Sequence, residues 1–396
     1  MNRRLARYLL GCLFAFMGGH VINFGLVQWA QEVLHAPAWS GALLLLCFGL
    51  PVVFGWHGGV LSDRGNPLRV ARRAHLAFVA AALLMAFAAW VPWLRRDQLV
   101  FAWTAAFIAG LGWSYSAPAR LAYLPTLVPP EKVRGAAIAF NVLTTVGFGA
   151  APLVVGAVRQ SHPWSAVFLT AVGLIGLSFV CFVGLPFTAK PQDGLNAQTV
   201  REGWAYARRT PIIAQLLVAS AAAHLLMGPI QVILPRFLEA ALAFGPGARG
   251  LFLGMAAPSL IAGGMIALSL GRLKHPGRAL MLGIVGSASA CFSLSFVSTV
   301  PLAAALFVAA CLCAGSAVAF LAASLQEVSD PAYRGRVMAS YAITTQFFPA
   351  FSGLLCGLLL AWKGPVSALG IYAACVGVVG LTLLAVLSTL RGYRRG

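Results

Sequence analysis

Long apolar stretches alternate with short polar segments along the whole chain. They run roughly from Tyr8 to Leu34, Ser40 to Leu61, Val70 to Val91, Leu99 to Ala122, Ala136 to Val158 and Trp164 to Phe187. A second set runs roughly from Pro211 to Pro235, Leu251 to Leu270, Ala279 to Val297, Pro301 to Leu325, Val337 to Leu360 and Val366 to Leu390. An apolar helix needs about 20 residues to cross a bilayer. The pattern therefore predicts an all-α membrane protein with twelve transmembrane helices.

Composition agrees: 60% of the 396 residues are hydrophobic and 9% are charged, whereas soluble domains carry about 25% charged residues. The net charge of +19 would suggest nucleic acid in a soluble chain. With both termini inside, however, 22 of the 28 Lys and Arg fall in inner segments and 6 in outer ones. That asymmetry is the signature of cytoplasmic loops, so the charge reads as topology and attraction to lipid headgroups, and no nucleic-acid partner is expected. The expected setting is a bacterial inner membrane, with both termini cytoplasmic.

The first stretch follows Arg3, Arg4 and Arg7 but is too long for a signal peptide and lacks a clear cleavage site. All 8 cysteines fall within apolar spans, without metal-ligand spacing. They read as small buried hydrophobes, and no metal or disulfide is expected. Trp39, Trp90, Trp93, Trp164 and Trp362 lie near outer span ends, where an interfacial belt belongs.

The segment VPPEKVRGAAIAFNVLTTVGFGA from Val128 aligns without gaps on VSDPAYRGRVMASYAITTQFFPA from Val328. Identities include Arg134/Arg334, Gly135/Gly335, Thr144/Thr344, Thr145/Thr345 and Phe148/Phe348. Both copies enter the fifth span of a half, as related halves of a transporter would. Two pseudo-symmetric six-helix bundles follow, over residues 1–187 and 211–396. The connector 188–210 reads as a cytoplasmic linker whose TVREGWAYARRTP stretch forms an amphipathic helix, with Trp204 and Tyr206 at the lipid surface and Arg208 and Arg209 toward the headgroups.

After the second span the chain reads GGVLSDRGNPLRVARR. This resembles the major facilitator superfamily signature: Gly59, Leu61, Asp63, Arg64 and Arg69 match, while Pro67 and Leu68 stand where further bases are common. Gly59 permits close helix approach. Asp63, one of 9 acids in the chain, can pair with Arg64 or a base of another span and latch the cytoplasmic side. Gly59, Asp63, Arg64, Arg69, Arg134 and Arg334 are therefore gating candidates. The corresponding loop SLGRLKHPGR has bases but no acid. In span five, Gly147, Gly149, Pro152 and Gly156 loosely resemble the superfamily's antiporter signature, with Ala151 and Val155 departing from it. The same glycines also suit ordinary helix packing. The connections around Arg120 and Arg334 resemble the drug- and siderophore-exporter branch, which includes macrolide and enterobactin exporters. Where that branch often has Gly-Asp followed by Trp in span one, Gly19 and Trp29 match but His20 replaces the acid.

Polar groups inside membrane spans are functional candidates because each, when charged at mid-span, costs about 2.5–3.5 kcal/mol. Helical spacing places His20, Asn23, Gln28, Gln31 and Glu32 within one half of span one's circumference, facing a central cavity. Glu32 also reads as an ordinary solvated acid near the outer end. His224 and Gln231 share a face of span seven, opposite His20 across the expected pseudo-twofold. A histidine titrates near pH 6.5, so either can carry a proton or stay neutral as a hydrogen-bonded core group. Further cavity candidates are Trp113, Tyr115, Asn141, Tyr341, Gln346 and Arg120, the last attracting an anionic substrate or snorkelling to the lipid heads.

No P-loop, His-Glu-x-x-His or intramembrane acid pair is present, so neither ATP-driven transport nor an enzyme with catalytic residues is expected. The resemblance implies a monomeric secondary transporter in the lipid bilayer. It would export a small organic, amphiphilic compound by alternating access and proton antiport, with the proton gradient in place of a cofactor. Uptake or lysolipid movement on the same scaffold, and a passive channel or receptor, are the alternatives.

Overall fold

The computed structural model describes residues 3–91, 97–186, 202, 205–270, 273–330 and 333–394, with every side chain among them except that of Arg134. Trp93, Trp204 and most of the expected linker lie outside the described residues. The first half contains α1 (Arg3–Glu32), α2 (Pro37–Arg64), α3 (Pro67–Trp90), α4 (Gln98–Tyr123), α5 (Val133–Arg159) and α6 (Trp164–Phe182). Then come α7 (Pro211–Leu225), α8 (Met227–Val232), α9 (Leu234–Leu242), α10 (Pro246–Gly254), α11 (Ala256–Ser269), α12 (Pro276–Leu294), α13 (Val300–Val328), α14 (Arg334–Val386) and α15 (Ser388–Gly392). No strand occurs among the described residues.

Among these residues, 11 helical spans are long and apolar enough to cross a membrane. The longest, α14, is two crossings in one, because Gly364 sits at φ 74° and ψ 172°. That left-handed joint separates arms 334–363 and 365–386, each long enough to span. The chain is thus a multi-pass membrane protein whose described residues are helical and hold the twelve apolar segments that the hydropathy pattern predicts.

The chain forms two compact units. One comprises Met1–Asn196 with Gly245–Gly254; the other comprises Ala197–Phe244 with Met255–Gly396. In lipid, helices gain little from apolar burial against one another, so close packing rests on small residues. In the first unit, an added Cβ at Gly147 would lie 2.6 Å from Phe16 Cβ of α1. One at Gly156 would lie 2.5 Å from the Pro246 carbonyl oxygen and 2.8 Å from Gly250 Cα, so α10 seats directly on α5. The close approach of α2 to α4 falls at Gly58, whose added Cβ would lie 2.5 Å from the Ser114 carbonyl oxygen. Pro118 has no amide hydrogen to bond that carbonyl. Gly59, expected to permit close helix approach, has open space around it, because one residue along a helix turns the position about 100° away.

The C-terminal end of α6 is held by arginines. Arg7 donates to the carbonyls of Cys181 and Val183, and Arg72 to that of Phe182. These carbonyls lie in and just past the last turn of the helix, where few helical amides remain to bond them. Asn66 caps α3 by accepting from the Arg69 amide, with Pro67 at the first helical position.

In the second unit, span seven is broken rather than continuous. Pro229 cannot donate to the Leu225 carbonyl, and the helix interrupts at Leu226. The Tyr372 hydroxyl from the second arm of α14 donates to that carbonyl instead, at 3.0 Å. Helices α11 and α13 interlock through reciprocal glycines: Gly263 lies against the Leu312 carbonyl and Gly315 against that of Leu260. Ser316 donates to the Gly263 carbonyl at 2.8 Å.

Some interface expectations change. Tyr206 does not face lipid; it stacks on Tyr333 with ring centroids 4.4 Å apart and planes 11° apart. Its hydroxyl accepts from the Asp330 amide at 3.3 Å, and Glu202 pairs with Arg336 at 2.9 Å. An aromatic partner in the same unit offers this ring more contact than the membrane surface does. Trp164 is buried beneath the Arg159 guanidinium rather than interfacial. Trp39, Trp90 and Trp362 are exposed. Four cysteines are buried, three are half-buried, and Cys375 is exposed on the apolar second arm of α14.

Candidate functional site

Trp113 organises the interior of the first unit. Gly19 lets α1 approach it, since an added Cβ there would lie 2.7 Å from the indole ring. Around the indole stand His20, Phe48, Phe78 and Phe16, with centroids 4.9, 5.7, 5.2 and 6.3 Å away. Phe148 of α5 closes on His20 at 5.2 Å, edge to face. The indole N–H points to Asn23 Oδ1 at 3.4 Å. His20 Nδ1 and Asn23 Nδ2 are buried without hydrogen-bond partners. Two such atoms in one aromatic nest are unmet polar capacity, which native interiors rarely leave without a reason.

The rest of the span-one face has separate tasks. Gln28 and Gln31 are buried, and Gln31 donates to Ser40 Oγ at 3.1 Å. Glu32 is no ordinary solvated acid: its two oxygens meet Arg249 at 2.8 Å and Arg159 at 3.5 Å. It therefore joins α1, α5 and α10 at one end of the unit. Two cations that the charge count assigns only to topology thus have a structural partner.

Arg120 does not snorkel. It is fully buried, with its guanidinium carbon 4.4 Å from the centre of the Phe16 ring and Nη2 3.5 Å from His75 Nε2. The Tyr8 hydroxyl donates to its backbone carbonyl at 2.6 Å. Tight packing by α1 keeps this side chain from the lipid heads. Tyr115 is half-buried, and its hydroxyl meets His57 Nδ1 at 3.0 Å. Sequence reasoning missed His57, which lies one residue before the loop-motif run and has no signal of its own in the sequence.

In the second unit, His224 is buried on α7. Its Nδ1 lies 2.8 Å from the Ser220 carbonyl oxygen and 3.4 Å from Ser220 Oγ. Ser220 Oγ is 2.6 Å from Thr344 Oγ1, and the Thr344 hydroxyl donates to the Tyr341 carbonyl at 2.7 Å. The Tyr341 ring faces the imidazole at 6.1 Å between centroids. Neither Ser220 nor Thr344 was singled out as a site residue, though both signals were present: a serine four residues before His224, and a threonine shared by the two repeats.

The remaining candidates scatter. Gln231 is buried on α8 with Oε1 unpartnered, Gln346 is half-buried, and Asn141 is exposed with its carbonyl accepting from Thr144 and Thr145. Asp63 is half-buried in the last turn of α2, while Arg64 and Arg69 are exposed. Arg334 is exposed and reaches the Ser329 carbonyl at 3.4 Å. The Arg134 side chain lies outside the described residues. Gly149 is buried and Pro152 lies inside α5, its carbonyl oxygen 2.5 Å from an added Cβ at Gly250.

Residues 98–275 match the sequence model of the Major Facilitator Superfamily. No curated protein matches the chain. Among solved structures, a POT family transporter in complex with 5-aminolevulinic acid superposes with a TM-score of 0.79 at 11% identity, covering 98% of this chain and 96% of that one. A D-xylose–proton symporter gives 0.78 at 16% identity, covering 96% of each chain. The nucleoside transporter NupG gives 0.75 at 16% identity, covering 99% of this chain and all of the other. With its helical spans and these likenesses over nearly its full length, the chain has the fold of the major facilitator transporters.

Proposed function

We propose that this protein is a secondary transporter that moves a small amphiphilic organic compound by alternating access, exporting it in exchange for protons. The observation that carries the reading is the nest around Trp113. Aromatic walls with two unpartnered polar atoms, His20 Nδ1 and Asn23 Nδ2, suit a planar organic molecule carrying a hydrogen-bonding group. The fold supplies the carrier frame, and the end of α2 with Asp63 supplies the latch. The proton gradient is the energy source, and the protein is a carrier rather than an enzyme. The exporter resemblance of the Arg120 and Arg334 connections supports the outward direction.

The test is collapse of a proton gradient in everted membrane vesicles on adding ethidium, erythromycin or enterobactin, in wild type and Asp63→Asn. Collapse by one compound class, slowed in the variant while binding stays within a few fold, is the expected result. Silence across all three compounds, with the protein present in the membrane, sinks the export reading. Uptake together with protons is the second reading, favoured by the structural likeness to a D-xylose–proton symporter. It predicts substrate-driven proton entry in right-side-out vesicles.

A further inference from the structure

The groups behind His224 fix which ring nitrogen carries hydrogen. The Thr344 hydroxyl spends its one hydrogen on the Tyr341 carbonyl. In the 2.6 Å contact between Thr344 Oγ1 and Ser220 Oγ, the donor is therefore Ser220. With that hydrogen committed, Ser220 turns a lone pair toward His224 Nδ1. The Ser220 carbonyl, 2.8 Å from the same nitrogen, is also an acceptor. Two acceptors facing Nδ1 require the hydrogen to sit there, which leaves the lone pair on Nε2.

We infer that Thr344 and Ser220 hold His224 as the Nδ1–H tautomer, and that Nε2 is the atom at which the coupling proton is taken up and released. The inference rests on the proton-coupled reading above. Uptake forms one N–H bond at Nε2 and breaks none in the protein; the proton comes from outer water and leaves to inner water. The imidazolium keeps its Nδ1–H bond to the Ser220 carbonyl, so α7 need not rearrange to charge the ring. Tyr341 of α14 is the titratable side chain facing it. No ion pair among the described residues brings a charged group to it.

His20 presents the opposite case. Its Nδ1 is unpartnered among aromatic rings, so no hydrogen bond at that atom selects a tautomer. The repeat underlines the specialisation of the second unit. Thr144 donates to the Asn141 carbonyl at 2.7 Å just as Thr344 does to that of Tyr341, but Thr344 is also tied, through Ser220, to a histidine. Thr344 and Ser220 are positioning residues; His224 carries the proton.

The test uses ¹⁵N-histidine-labelled full-length protein in lipid nanodiscs, without substrate, with the His224 signals identified by their loss in His224→Gln. Wild type, Thr344→Ser and Ser220→Ala are expected to show the Nδ1–H tautomer, because each keeps acceptors at Nδ1. Thr344→Val frees the Ser220 hydroxyl to donate to Nδ1 and is expected to raise the Nε2–H population several-fold. Acidification should protonate Nε2 in wild type. An Nε2–H tautomer in wild type, no titration at Nε2, or an unchanged tautomer ratio in Thr344→Val overturns the inference. Proton flux with the ethidium, erythromycin and enterobactin set separates the two levels. Coupling that survives in His224→Gln overturns this assignment alone. Substrate movement without protons in wild type overturns both this assignment and the antiport reading.

Discussion

The Tyr372 hydroxyl donates to the Leu225 carbonyl at 3.0 Å and so replaces the amide hydrogen that Pro229 lacks. The carbonyl is half-buried among apolar helices that offer it no other donor from α8, so the break in span seven leans on this side chain. Tyr372→Phe should lower stability by about 1 kcal/mol, within the range of interhelical hydrogen bonds in membranes. In a Pro229→Ala background, where the amide returns, the same change should cost much less. A double-mutant cycle on thermal unfolding in detergent checks this, and equal costs in the two backgrounds would refute it.

Gly156 marks where α10 seats on α5, with no room for a Cβ. Gly156→Ala should destabilise by about 1–3 kcal/mol through overpacking. Gly176 on α6 has open space around it. There Gly→Ala should be neutral or stabilising by up to about 1 kcal/mol from helix propensity. The unfolding midpoint of Gly156→Ala should therefore fall while that of Gly176→Ala holds or rises.

If the nest around Trp113 binds substrate, shortening its indole in two steps should weaken binding in two steps. Trp113→Phe removes the N–H facing Asn23 together with the five-membered ring, and a loss of about 1 kcal/mol or more corresponds to at least roughly fivefold weaker apparent affinity. Trp113→Ala also removes the stacking surface and should lose far more. Concentration dependence of gradient collapse by the active compound measures both, and equal affinity in all three proteins would exclude the nest as the binding site.

The Tyr206–Tyr333 stack pins the segment before α7 to the start of α14. Tyr333→Ala should expose the bonds after Arg208 and Arg209 to trypsin, speeding cleavage several-fold in limited proteolysis. Glu202→Gln should have a smaller effect, because that ion pair is partly exposed and such pairs contribute about 1 kcal/mol or less. A cleavage rate unchanged by Tyr333→Ala would show that the stack does not hold the segment.

Legibility followed the range of the interactions. Spans were readable because a bilayer imposes a length on every apolar helix, so even the joint at Gly364, hidden within a continuous helix, follows the expected break between the last two spans. The polar face of span one was readable from 100° spacing. The fate of each residue on it was not: Glu32 meets Arg159 and Arg249, while His20 meets Trp113 and Phe148. Those partners are far away in sequence, and an aromatic residue in an apolar span looks the same whether it faces lipid or a histidine.

By itself, then, the sequence determined the membrane class, the number of crossings and the repeat, because hydropathy and charge act locally and the bilayer reads them segment by segment. Only the tertiary structure decided that Gly58 rather than Gly59 meets α4, that Arg120 stays buried, and that Ser220 and Thr344 stand behind His224. Each of these depends on the rotation of one helix against another. That rotation is set by small-residue packing and by single hydrogen bonds between segments distant in the sequence, and no local pattern encodes it.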